Sequence, residues 1–323
     1  MPVDYGKVYT SGSSFRARAE ARQRCYRAET LRLRAGRYGH LLCQENADAG
    51  KNFVHTEAHG AARSRQAEGK GVAERTFDNM LSSQAMCFNI FAPLSERRDL
   101  AAQILAVWIP DLKSVESISI EHTPDRDVFS DQTGRGGVDC DLLVEGISTN
   151  DEKLVLVMET KFVEPEFSVC GFRKLGRAED GKVVCPDDVS IGQTRDGCLY
   201  QTKKKYQYWN RSDQHLLLRP GAVPESGCPF SGQLWQLWVN YCLAHEEATR
   251  RGAKRTYFGV CAPANNDALL QDGKILDGFR GLLSERERLL FIDLDRLIST
   301  IEANLDGQLQ AWVDGLKARY ANI

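Results

Sequence analysis

The sequence predicts an α/β core, with helices on both faces of a sheet, and three observations point there. Helical and extended patterns alternate in the order helix, strand, strand, long insert, helix, strand, helix. The run Leu154–Met158 is apolar on both sides, the mark of a central strand covered on each face. Residues 232–252 (GQLWQLWVNYCLAHEEATRRG) repeat apolar positions at helical spacing and stop at Gly252, a glycine where a helix cap needs one.

The chain's 323 residues, 42% hydrophobic and 27% charged, describe a globular protein with material for a sizeable core. No stretch approaches the roughly 18–20 consecutive apolar residues of a membrane span, so no membrane partner is expected. The first twenty residues lack an apolar signal core, which predicts a cytoplasmic protein. A net charge of −2 argues against a purely electrostatic nucleic-acid binder, yet leaves room for a nucleic-acid enzyme whose acidic ligands offset basic surfaces.

Residues 1–70 read as a basic N-terminal arm or helical segment, and 71–323 as the principal domain. Arg16, Arg18, Arg22, Arg24, Arg27, Arg32, Arg34 and Arg37 are interleaved with Tyr26 and Tyr38, a pattern equally suited to phosphate contact and to a solvated helix. Phe77, Met80, Leu81, Gln84, Phe88 and Phe91 recur at helical spacing over 74–94, with Pro93 expected to end the helix and Ser82 a candidate N-cap. A second helix is predicted over Asp99–Trp108, then strands over 115–123, 138–145 and 154–162. Residues 164–232 form a polar insert broken by Gly and Pro, a length that usually carries function or lacks order. Trp235, Trp238 and Tyr241 are expected in the core by spacing. The chain closes with a strand over 256–262, the segment LLFIDLDRLI, and a helix to about Tyr320.

Ten cysteines occur with no C-x-x-C pair, and they are expected to be free thiols in a reducing compartment. Four of them, Cys170, Cys185, Cys198 and Cys228, fall in the loop-rich insert and define a separate reading, a zinc or iron–sulfur protein. Six scattered histidines include no H-x-H or H-E-x-x-H, which argues against a zinc hydrolase, and neither a phosphate-binding G-x-x-x-x-G-K-[ST] loop nor a G-x-S-x-G elbow is present.

The chemistry-bearing constellation is GVDCDLLV (137–144) followed by LVLVMETKF (154–162). A buried strand that continues into Glu159 and Lys161 is unusual, because unpaired buried charge costs several kcal/mol. Side chains alternate along a strand, so Glu159 and Lys161 share one face, and Asp139 and Asp141 share one face of the preceding strand. Two such strands paired through a short turn would gather acids and amine, with a divalent cation between the carboxylates as the compensating charge. Oxygen ligands suit Mg²⁺ or Mn²⁺, whose chemistry with a lysine alongside is phosphodiester hydrolysis.

This pattern resembles the PD-(D/E)xK nucleases, the restriction-endonuclease-like superfamily, in which an acid on one strand precedes E-x-K on the next. Within it the chain is similar to a large group of bacterial restriction-endonuclease-like proteins, through Ser82-Ser83-Gln84, Arg135-Gly136-Gly137-Val138-Asp139, Glu159-Thr160-Lys161-Phe162-Val163-Glu164-Pro165 and Gln236-Leu237-Trp238. Val138 stands where the superfamily's name places a proline. The resemblance implies a mixed sheet with the catalytic strands at its centre, Asp139, Glu159 and Lys161 as catalytic residues, and a metal held by Asp139, Glu159 and Thr160. Asp139 is preferred as the first acid by the motif, while strand logic accepts Asp141 equally. Gln84, Asp141 and Gln236 are expected to line the site. Arg135, Lys203, Lys204 and Lys205 are expected to contact nucleic acid, the lysines together with neighbouring Tyr and Trp rings on which bases could stack. The implied activity is a Mg²⁺-dependent deoxyribonuclease, bacterial and tied to restriction or defence, with DNA as partner and a homodimer where both strands are cut. The competing reading is a nucleic-acid or partner binding module on the same fold.

Overall fold

A computed structural model of the protein describes residues 3–10, 12–69, 71–130, 138–174, 185–186, 188–192, 194–305, 307 and 309–323. Five strands form one mixed sheet in the order β1-β2-β3-β4-β5: Leu112–His122, Cys140–Ser148, Lys153–Thr160, Arg255–Ala262 and Leu289–Asp293. The first three are antiparallel, and β4 and β5 run parallel to β3. Every described residue of β3 from Leu154 to Thr160 is buried, as expected of a strand with neighbours on both edges and helices on both faces.

Alternation along β3 splits the core in two. Leu154, Leu156 and Met158 pack with the helices Ser83–Ser95, Arg98–Leu105, Leu294–Ala303 and Gln310–Tyr320. Val155 and Val157 face the opposite layer, dominated by the helix Leu234–Arg251 with Leu237, Trp238 and Tyr241 buried. That helix ends where Gly252 turns left-handed at φ 66°, a conformation costly for residues with a Cβ. It belongs to the crossover between the parallel strands β3 and β4, so both Glu159 and the helix that covers it are fixed by one connection.

Pro93 does not end its helix, which runs from Ser83 to Ser95 with Ser82 as N-cap, the Ser82 hydroxyl accepting from Ala85 N at 3.2 Å. A proline inside a helix leaves the carbonyl four residues earlier without its usual donor. Here that carbonyl is Asn89 O, and the buried Trp312 indole donates to it at 2.7 Å. The tertiary partner therefore removes the main penalty that sequence reasoning charged to Pro93.

The N-terminal segment is helical over Ser14–Cys25 and Thr56–Ala67, and packs into the sheet's first core layer through Phe15, Ala19, Ala58 and Ala62. Its arginines divide. Arg27 is fully buried and donates to Gly39 O at 2.8 Å and Asp4 O at 2.7 Å, and Arg24 donates to Tyr5 O and Gly6 O, both at 2.9 Å. Arg18, Arg32, Arg34 and Arg37 stay exposed. Arg319, fully buried near the C-terminus, donates to Gln23 Oε1 at 2.9 Å, Asn52 Oδ1 at 2.9 Å and Met80 O at 3.1 Å, joining three N-terminal regions.

The insert is packed where it is described. Tyr206, Tyr208 and Trp209 are buried, Trp209 against Trp238 and Phe230, so these rings are core and cannot stack on bases. Lys203, Lys204 and Lys205 at the end of the short helix Leu199–Lys204 are exposed. Among the described residues no helix is long and apolar enough to cross a membrane.

Candidate active site

Pairing of β2 with β3 aligns Leu142 with Met158, and one step further brings Asp141 level with Glu159. At that step the backbone ladder gives way to a side chain, because Thr160 donates both its N–H and its hydroxyl to Asp141 Oδ2, each at 2.6 Å. On the other side, β1 and β2 pair Ile120 with Leu142 and His122 with Cys140, which sets Glu121 level with Asp141. Three neighbouring strands thus present an acid at one level: Glu121, Asp141 and Glu159.

Glu159 and Lys161 project toward the helix Leu234–Arg251. Lys161 Nζ lies 2.7 Å from Glu159 Oε1, Gln236 donates to the same oxygen at 2.7 Å, and Asn240 donates to Oε2 at 2.8 Å. Gln236 and Asn240 are one helical turn apart, so a single face of the helix grips both carboxylate oxygens. Ser168 N donates to Gln236 Oε1 at 2.8 Å, fixing the amide's orientation. Glu159 and Lys161 are 5% and 8% exposed, so their charges are largely removed from water.

The crowding appears in the acids' proton affinities. Burial pushes Asp141 up to about 7, helped by the Glu159 charge and opposed by Lys161 and the two Thr160 hydrogen bonds. Burial also pushes Glu121 up to about 9, with the Asp141 charge adding to it and a Gln84 hydrogen bond opposing. For Lys161, burial disfavours the ammonium, but Glu159, Glu164 and Asp141 outweigh it and raise its affinity above that of an ordinary lysine. Lys161 is therefore charged at any physiological pH.

The surrounding residues complete the pocket. Gln84 Oε1 accepts from Ala73 N at 3.0 Å and from the Thr76 hydroxyl, and its amide donates to Gly71 O at 3.0 Å, holding it beside Glu121. Glu164, whose Oε1 accepts from the Ser83 hydroxyl at 2.6 Å and whose Oε2 accepts from Phe162 N at 2.7 Å, ties the end of β3 to the start of the Ser83–Ser95 helix. Asn89 is a core amide, donating to Asn52 O and Tyr320 Oη.

Asp141, Glu159, Thr160, Lys161 and Gln236 come together as one group, with Gln84 at its edge. Asp139 precedes β2 and is exposed, although its charge still reaches Glu121. The lysines 203–205 lie on the insert, and Arg135 lies outside the described residues. Sequence reasoning passed over Asn240 and Glu121. Each left a signal: Asn240 is four residues after Gln236 on the same helix, and Glu121 closes a strand of alternating polarity much as Glu159 closes its own.

An all-oxygen donor set fits a hard divalent cation. Three buried or half-buried acids face one lysine, and Glu121 Oε1 is a buried oxygen with no hydrogen-bond partner. Among the described residues no three acidic, imidazole or thiol side chains already stand at ligand spacing, the Glu159 oxygens being held by Lys161, Gln236 and Asn240.

Strands, helices and acid cluster together define an α/β protein of restriction-endonuclease-like build. A family model described as PD-(D/E)XK nuclease superfamily matches residues 10–174, about half of the chain, and the chain belongs to that superfamily. No curated protein and no solved structure matches it.

Proposed function

We propose that this chain is a divalent-metal-dependent nuclease that hydrolyses phosphodiester bonds in DNA, with Asp141 as the first acid beside Glu159 and Lys161. The observation that supports it most is the convergence of Glu121, Asp141, Glu159 and Lys161 across three paired strands, where acids outnumber bases in a buried pocket. Asp141, Glu159 and the Thr160 carbonyl would hold Mg²⁺ or Mn²⁺, with Glu121 a further oxygen ligand. Asp139 is the alternative first acid. A cation bound there supplies the positive charge that lets a phosphodiester and a water approach each other.

The protein's own groups do the rest. Gln236 and Asn240 hold the Glu159 carboxylate from both oxygens, so its direction is set before substrate arrives. Lys161 keeps its proton and therefore does not act as a base. Its ammonium orients the attacking water and stabilises the negative charge that develops on the phosphate. Thr160, with two hydrogen bonds, fixes Asp141 against β3. Lys203, Lys204 and Lys205 offer exposed charge for the DNA backbone. A role in bacterial restriction or defence, in the cytoplasm, and a homodimer for double-strand cleavage belong to the same reading.

The test is cleavage of single- and double-stranded DNA with Mg²⁺ or Mn²⁺. Glu159→Ala and Lys161→Ala variants that still fold should lose at least about 10²-fold in rate. Intact DNA with the wild-type protein under broad metal and salt conditions would count against the proposal and favour a non-catalytic binding module.

A further inference from the structure

Cys170, Cys185, Cys198 and Cys228 lie on four separate stretches of the insert that the nuclease chemistry leaves unused. The backbone draws these stretches together. Cys185 N donates to Phe172 O at 3.1 Å, and Gly171 N donates to the Tyr200 hydroxyl at 3.3 Å, two residues beyond Cys198. Gly227, beside Cys228, donates to Val189 O at 2.8 Å. Gly197, beside Cys198, lies so close to the same Val189 that an added Cβ would stand 2.6 Å from its Cγ2. All four segments meet around Val189 and Phe172.

The sulfurs are dressed for more than packing. Backbone N–H groups of Phe172 and Arg173 point at the Cys170 sulfur, and that of Phe230 points at the Cys228 sulfur. Such bonds stabilise a thiolate and orient it, the service that outer partners give to metal-bound thiolates. The thiol charges that bear on Cys228 are those of Cys198, Cys170 and Cys185, and those that bear on Cys170 are Cys198 and Cys185. All ten cysteines are free, so no disulfide spends these thiols. The described insert here contains only short helical turns, Gly171–Lys174, Arg195–Gly197 and Leu199–Lys204, which are too brief to stabilise themselves.

We propose that Cys170, Cys185, Cys198 and Cys228 form a structural zinc site that fastens the insert. Four soft thiolates without an open position suit tetrahedral Zn²⁺. The four sulfurs are not yet at ligand spacing, so zinc uptake draws them inward and releases thiol protons. The site would also steady the active centre. Tyr200 stacks on Trp235 with centroids 5.5 Å apart, immediately before Gln236, and Ser168, two residues before Cys170, donates to the Gln236 side chain.

Metal content of the full-length protein, purified from cells grown with zinc and iron, tests this. About one zinc per chain is expected. It should persist in an Asp141→Asn/Glu159→Gln double variant, which separates it from any ion of the acid pocket. Cys198→Ser and Cys228→Ser should each lose it, whereas Cys25→Ser, at an exposed position outside the cluster, should keep it. Mercurial titration of the wild-type protein should release the zinc as thiols are modified, and a cobalt-substituted sample should show intense thiolate charge-transfer absorption, neither readout requiring a variant to fold. Metal-free protein, iron with a visible chromophore, or zinc retained in both cysteine variants and lost in the acid variant would each overturn the assignment.

Discussion

Raising the pH from 6 to 8 should tighten Mg²⁺ or Mn²⁺ binding, by an amount that reports how many acids take part. A proton on a ligand carboxylate competes with the ion, so affinity rises as pH passes through each ligand's proton affinity. Asp141 is pushed up to about 7 by burial and the Glu159 charge, and Glu121 up to about 9 by burial and the Asp141 charge. Deprotonating Asp141 alone gives roughly a tenfold tightening across that window. If Glu121 must also lose its proton, the gain is on the order of a thousandfold. Stability of the metal-free protein moves the other way. A carboxyl whose affinity is raised on folding contributes stability below its unfolded value, near 4, and that contribution is lost as pH climbs through about 7 for Asp141. Calorimetric titration with Mg²⁺ in two buffers of different ionisation enthalpy measures both the affinity and the protons released. An affinity that stays flat from pH 6 to 8, with no proton release, would refute the premise that these acids are ligands.

Asn240→Ala removes one of three groups on the Glu159 carboxylate while leaving Gln236 and Lys161 in place. Thermal unfolding should show a loss of about 1–3 kcal/mol, and cleavage should fall by about 10–100-fold because Glu159 is no longer aimed. Arg319→Ala strips the partner from Gln23, Asn52 and Met80 in a fully buried position, and a loss of about 3–5 kcal/mol by urea denaturation is expected. A change under about 1 kcal/mol would mean that the N-terminal segment is not held through this residue. Replacing Lys203, Lys204 and Lys205 together by Ala should weaken DNA binding at low salt and reduce the slope of log K against log salt by roughly one per lost phosphate contact, read by fluorescence anisotropy.

Charge at the end of an apolar run is a strong sequence signal, because no folded protein buries it without a partner. That is why Glu159 and Lys161 could be singled out before any coordinates, and why the central position of β3 followed from Leu154–Met158. Choosing between Asp139 and Asp141 was beyond the same reasoning. Strand periodicity puts both on one face, and what distinguishes their surroundings is where β2 begins, at Cys140, and a side-chain bond to Thr160 that no pattern encodes. Pro93 misled for a similar reason, since its cost depends on whether something far along the chain, here Trp312, takes the orphaned carbonyl. In the insert, Tyr206, Tyr208 and Trp209 alternate with polar residues in a way that fits a base-stacking surface and a folded core equally, and only their packing against Phe230 and Trp238 separates the two. Glu121 carries backbone φ 55°, a left-handed conformation that nothing in its neighbours' identities announces.

Anomalous diffraction from crystals soaked in Mn²⁺ tests the central claim most directly. The account predicts a manganese peak in contact with carboxylate oxygens of both Asp141 and Glu159, reached by a shift of the Glu159 carboxylate away from Lys161. A peak held by Asp139 without Asp141, or no ordered ion in the pocket at saturating Mn²⁺, would contradict it.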